Sequence, residues 1–299
     1  MKRLEMNISH QDSSSQSPAI IEGIEPDREH NQRFFYSMGR HIYSLNKTSG
    51  HSQSVMKTRE NIVSFHHIEG SKLLINDLST IKVVNSSKLN TTIEPNLLAC
   101  NRQFMANANC MLNASQSLGP TAVDYSKQGA EVYLTVNSSS VYKTNLGSLP
   151  PQKKFALNDT ISAITFDKKF TKLYVITYSS ETETHTVRYF NLLNDELSKP
   201  IILNGNPDQI THAVFVGEQA ILCQTRADIN SLLLLDPYSG KYSYVSEEIA
   251  TLPCNYSECG QGLAITALAY HSNNDRSLYA VDDGSTVILL SYNGNQNNT

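Results

Sequence analysis

Three observations predict an all-β fold, a β-propeller of six to seven blades of antiparallel strands. The first is a strand pair that recurs along the chain. EVYLTVNSSSVYKTNL (Glu131 to Leu146), KLYVITYSSETETHTVRYFNL (Lys172 to Leu192), QAILCQTRADINSLLLLD (Gln219 to Asp236) and SLYAVDDGSTVILLSYN (Ser277 to Asn293) each read as apolar strand, polar turn, second strand. Their equivalent positions Tyr133, Tyr174, Ile221 and Tyr279 follow at steps of 41, 47 and 58 residues. A period of about 40–50 residues, with several short strands per unit, marks a propeller. The second is a short apolar strand before each copy: TAVDY, ISAITF, HAVFV and AITALAY. Such a strand suits the inside of a blade, covered on both faces by its neighbours. The third is turn chemistry between strands, as at Asp282-Asp283-Gly284 and Asn204-Gly205-Asn206-Pro207, where Gly or Asn accepts a positive φ.

Taken in chain order, residues 1–30 are polar, rich in Ser and Gln and without period, so they are expected to be a disordered leader. The propeller is expected over 31–294. Its first hairpin is Arg33 to Gly50, turning at Gly39. Lys72 to Ser87 follows, with Asn76-Asp77 at its turn, and then Asn96 to Ser115 reads as strand, loop and second strand. The four repeats complete the set, and 295–299 is expected to be a frayed tail.

Composition narrows the function. A net charge of −4, with no Lys/Arg run longer than two, disfavours nucleic acid and anionic membrane as partners. No apolar run approaches the roughly 20 residues of a membrane span. The stretch MKRLEMNISHQDSSSQSP has two basic residues and no apolar region after them, which does not read as a secretory signal. There is no Trp, so this is not a Trp-Asp type of propeller; 15 Tyr and 9 Phe supply the aromatic packing.

Nine positions fit Asn-x-Ser/Thr. Asn7 and Asn297 lie outside the expected propeller, whereas Asn46, Asn85, Asn90, Asn113, Asn137, Asn158 and Asn255 are its candidate N-glycosylation sites. Cys100 with Cys110 and Cys254 with Cys259 can each close a small loop if their Cα atoms fall within about 7 Å. Cys223 sits in an apolar strand as a buried thiol or a partner from elsewhere. Scattered reduced cysteines are the other reading of all five. Zinc needs tighter ligand spacing than these cysteines offer.

Catalytic signatures are sparse. His66 and His67 are adjacent, but on a strand they face opposite ways and cannot share a metal. The acidic pairs Glu247-Glu248 and Asp282-Asp283 are neighbours in sequence, which is no sign of a cleft flanked by two carboxylates. There is no Gly-x-Ser-x-Gly, no phosphate-binding Gly loop and no calcium loop. No catalytic residue, metal or cofactor is therefore assigned. A propeller site assembled from several blades would leave no spacing to read, so a metal-dependent propeller hydrolase stands as a further alternative.

Three segments, in order, resemble the sema domain of plexins and their receptor relatives: RHIYSLNKT (Arg40 to Thr48), NLLACNRQFMANANC (Asn96 to Cys110) and KYSYVSEEIATLPCNYSECGQGLAITALAY (Lys241 to Tyr270). The LYV strands are similar to that family's too. The resemblance implies extracellular or cell-surface ligand recognition in signal transduction, without catalysis. It also implies disulfides at Cys100, Cys110 and Cys254. The expected function is thus a non-enzymatic recognition propeller that binds a protein partner through a face or rim. An intracellular, cytoplasmic propeller scaffold is the alternative.

Overall fold

The computed structural model describes residues 6–7, 21, 23–27, 33–46, 48–68, 72–77, 79–85, 96–101, 110–115, 117–126, 130–145, 151–205, 207–216, 219–225, 232–244, 265–271, 277–282 and 286–291. Every regular element among them is a strand. Strand β1 (Met6–Asn7) precedes the first sheet, which is β2 (Gly23–Pro26), β3 (Arg33–Met38), β4 (His41–Asn46) and β5 (Ser52–Lys57). The second sheet is β6 (Ser64–Ile68), β7 (Lys72–Asn76), β8 (Thr80–Asn85), β9 (Asn96–Asn101) and β10 (Leu112–Ala114). The third is β11 (Leu118–Asp124), β12 (Glu131–Val136), β13 (Ser140–Asn145) and β14 (Gln152–Ala156). The fourth is β15 (Thr160–Phe166), β16 (Lys172–Ser179) and β17 (Thr184–Asn191), edged by the short β18 (Glu196–Leu197) and β19 (Ile201–Ile202). The fifth is β20 (Ile210–Val216), β21 (Ala220–Thr225), β22 (Leu232–Leu235) and β23 (Tyr242–Tyr244).

These five sheets are each built of consecutive strands. A sixth joins the chain's two ends: β24 (Ile265–His271), β25 (Ser277–Asp282) and β26 (Thr286–Ser291) are completed by β1, antiparallel to β26. The inner strands β2, β6, β11, β15, β20 and β24 pack each against the next, and β24 against β2, which closes the ring. This is a β-propeller.

Strand alternation explains the packing. In KLLIN, Leu73 and Ile75 face Phe35 and Ile42 of the first sheet, while Leu74 faces Val132 and Leu134 of the third. In KLYVITYS, Leu173 and Val175 join Tyr133 and Val141, while Tyr174 and Ile176 join Ile221, Cys223 and Leu233. Successive residues point to opposite faces, so one apolar strand feeds two inter-sheet cores. The four marker residues Tyr133, Tyr174, Ile221 and Tyr279 all lie on the second strand of their sheets.

Two expectations are corrected. The expected six to seven blades become five blades of consecutive strands, with one composite sheet closing the ring. Asn96 to Ser115 is not a unit of its own: β9 pairs antiparallel with β8, and β10 adds to β9 in parallel, so both are outer strands of the second sheet. Nor is the segment 1–30 a leader throughout. Gly23–Pro26 is the inner strand of the first sheet, with Ile21 and Ile24 buried against Phe34 and Tyr36, and Met6–Asn7 edges the sixth. Two-residue and four-residue strands are too short to leave a periodic pattern. The tail 295–299 lies outside the described residues.

Two buried carboxylates, Asp77 and Asp27, are compensated by the residues around them. Asp77 accepts from Lys82 Nζ at 2.6 Å and from Thr80 N, Thr80 Oγ1 and Ser79 Oγ at 2.9 Å each. Asp27 accepts from Arg33 Nε and lies 3.7 Å from His67 Nδ1. Gly240 has φ +71, and a Cβ there would meet Ile202 O at 2.3 Å, so only glycine lets the fifth sheet's outer turn seat on the fourth.

Candidate functional site

Two regions stand out, the axial channel and the outer rim of the fourth and fifth sheets. The channel is a cavity of about 350 Å³ lined by all six inner strands. Its shape follows from a repeated irregularity. In the fourth, fifth and sixth sheets the inner strand carries one extra residue, at Ser162, Thr211 and Thr266, each after an isoleucine. A bulge leaves a ladder carbonyl without its backbone partner, and in the fourth and fifth sheets the hydroxyl repairs this. Ser162 Oγ donates to Ile176 O at 3.3 Å, and Thr211 Oγ1 donates to Gln224 O at 3.4 Å. The third sheet has its own irregularity between Leu118 and Thr121. There Thr121 Oγ1 lies 3.3 Å from Ser64 Oγ, and Thr121 O accepts from His66 Nε2 at 3.0 Å.

His66 and His67 do face opposite ways. His66 reaches Thr121 of the third sheet, while His67 stacks on Phe35 of the first, with centroids 5.3 Å apart. His212 also lines the channel, and burial pushes its imidazole below the usual histidine range. Among the described residues no three His, Cys, Asp or Glu side chains converge as a metal site.

The rim is different in kind. Six large apolar side chains are exposed among the described residues, and four belong to the fourth and fifth sheets: Leu193 (82%), Ile202 (61%), Tyr238 (48%) and Tyr244 (40%). Behind them Tyr238 Oη lies 2.9 Å from Tyr174 Oη, and Lys172 Nζ sits 4.6 Å over the Tyr189 ring and 5.2 Å over the Tyr238 ring. Tyr242 and Tyr244 meet edge to face at 5.8 Å. Burial raises the Tyr174 and Tyr242 phenols above the ordinary tyrosine range, and neighbouring tyrosines add to this.

Of the cysteines, Cys100 and Cys110 form a disulfide with Cα atoms 5.9 Å apart, which ties the end of β9 to the approach of β10. Cys223 is a buried free thiol, its ionisation pushed up by desolvation. Cys254 and Cys259 lie outside the described residues, as do Asn90 and Asn255. Asn46, Asn113 and Asn158 are exposed; Asn85 and Asn137 are half-buried. Asn137 Oδ1 accepts from Ser115 N at 3.0 Å.

Sequence reasoning keyed on the second strands and so missed the channel hydroxyls. Their signal was present: the dipeptides Ile161-Ser162 and Ile210-Thr211 recur at one place in successive units. The rim leaves no such mark, because Tyr238 meets Tyr174 and Gly240 meets Ile202 only when two sheets pack.

No family model matches the chain, and no curated protein matches it. Solved structures do. An auxiliary nutrient binding protein from Bacteroides thetaiotaomicron VPI-5482 aligns with TM-score 0.63 at 10% identity, covering 91% of this chain and 69% of the other. A putative gluconolactonase aligns with TM-score 0.62 at 9% identity, covering 96% and 92%. The structure of U3-55K aligns with TM-score 0.59 at 12% identity, covering 95% and 79%. At such identities the likeness is one of fold, and the fold shared is the propeller.

Proposed function

We propose that this chain is a non-enzymatic recognition propeller that engages a protein partner through the outer rim of its fourth and fifth sheets. The observation that carries this reading is that four of the six exposed large apolar side chains among the described residues, Leu193, Ile202, Tyr238 and Tyr244, lie on two adjacent sheets. Aromatic residues are enriched at interface centres and supply much of the binding energy there. A propeller side can offer the roughly 800 Å² per partner that a standard interface buries.

In its finer form the reading is extracellular. The Cys100–Cys110 disulfide persists in an oxidising compartment and is rare in a reducing one. Exposed Asn46, Asn113 and Asn158 can accept glycan there. The resemblance to sema domains supports the same compartment and a receptor role. Fold likeness to a nutrient binding protein fits recognition as well.

Photo-crosslinking tests the rim. A photoreactive residue is placed at Ile202, at Tyr238 or, as a control, at Gln53 on the exposed outer strand of the first sheet. Protein adducts are expected at the first two positions and not at the third. Adducts at Gln53 alone, or equally at all three, sink the proposal.

A further inference from the structure

We infer that the hydroxyl-lined channel holds a small neutral polyhydroxylated molecule of monosaccharide size. Four successive inner strands place a hydroxyl in its lining: Ser64, Thr121, Ser162 and Thr211. A hydroxyl has one proton and two lone pairs. Ser162 and Thr211 give their protons to the carbonyls of Ile176 and Gln224. What these two turn toward the channel is therefore acceptor capacity, which suits a guest rich in O–H donors.

Charge selects among such guests. The charged lining residues are Glu25, Asp167 and Lys168. Asp167 follows Ser162 by five residues, about 17 Å of strand. Its carboxylate is held by its own turn, accepting from Thr171 N at 2.7 Å, Thr171 Oγ1 at 2.8 Å and Lys172 N at 2.8 Å. Glu25 lies on β2, three places round the ring from β15 and so across the channel from Ser162. An ammonium or carboxylate at Ser162 or Thr211 would thus be desolvated with no charged side chain on β15 or β20 beside it. The imidazole of His212, depressed by burial, adds a neutral polar neighbour. Apolar Ala163, Ile164, Val214 and Phe215 supply the rest of the wall, the usual composition of a ligand pocket. A volume of about 350 Å³ is at the small end for such pockets, which excludes an oligosaccharide.

Saturation-transfer NMR on the full chain tests this with three probes of one size, glucose, glucosamine and gluconate. Glucose is expected to receive saturation, and the two charged analogues at least fivefold less. Thr211→Val and Ser162→Ala are expected to weaken glucose binding at least tenfold. Since both uncap a bulge, Val214→Phe, which fills the channel and leaves the hydroxyls in place, must abolish the signal as well. No saturation of glucose, equal saturation of a charged analogue, or an unchanged signal in Val214→Phe overturns the inference. Failure here leaves the rim reading untouched, because no rim residue enters this test.

Discussion

His185 illustrates how one side chain sets a pH limit on this fold. It lies on β17, buried to 1% exposure, with its ring 4.9 Å from that of Tyr178 and neither ring nitrogen hydrogen-bonded. Desolvation alone drives its imidazole below the ordinary value of 6.5. The sign follows from proton counting. Between the depressed folded value and 6.5 the unfolded chain binds the proton and the folded chain does not. Stability from this site is therefore complete above 6.5 and is lost as pH falls through the folded value. His185→Phe keeps the ring and removes both the proton site and the unsatisfied nitrogens. The variant is expected to be at least as stable as the parent at pH 7. Its urea midpoint should fall less steeply between pH 6.5 and 5, with His212, also depressed, carrying part of the slope that remains. An identical slope in the two proteins would remove His185 from the account.

At the scale of elements, the outer edge of the second sheet depends on a covalent tie. Strand β10 is three residues long and pairs in parallel with β9, a weak arrangement for an edge. The Cys100–Cys110 disulfide closes a loop of sequence separation 10, and loop-closure entropy at that length is worth about 3 kcal/mol. Cys110→Ser, or reduction, is expected to cost about 2–3 kcal/mol in chemical unfolding. Hydrogen exchange should rise first at Leu112–Ala114. Unchanged exchange there would mean that β10 holds without the tie. The hairpin turning at Gly39, the turn at Asn76-Asp77 and the inner strands of the third to sixth sheets were legible, because turn residues and short apolar runs leave local marks. The role of Asn96 to Ser115 was not: whether a strand pair begins a blade or ends one depends on its partner, and β8 ends at Asn85 while β9 begins only at Asn96. The channel hydroxyls were legible in principle from the Ile-Ser/Thr repeat. The rim was not, since it is made by contact between sheets.

For the whole molecule the decisive feature is how the ring closes. A propeller of consecutive sheets has a seam where the last meets the first, and an open outer edge there invites fraying or pairing with another chain. Here the seam is bridged twice. The inner strands β24 and β2 pack together, and β1 crosses from the start of the chain to pair Met6 with Val287 and Asn7 with Thr286. The sixth sheet therefore cannot complete itself until both ends of the chain are present, which makes closure the most non-local step of the fold. Sequence could not announce this, because a two-residue strand in a polar segment carries no period. Deleting residues 1–10 tests it. The inner ring keeps all six inner strands, so the truncated protein should still fold, with near-native circular dichroism. Its melting temperature should drop by a few degrees, and amide protection should be lost selectively along Thr286–Ser291 while β15 and β16 of the fourth sheet stay protected. Uniform loss of protection would mean that the ring melts as one unit, and unchanged protection along β26 would show that β1 adds nothing to the closure.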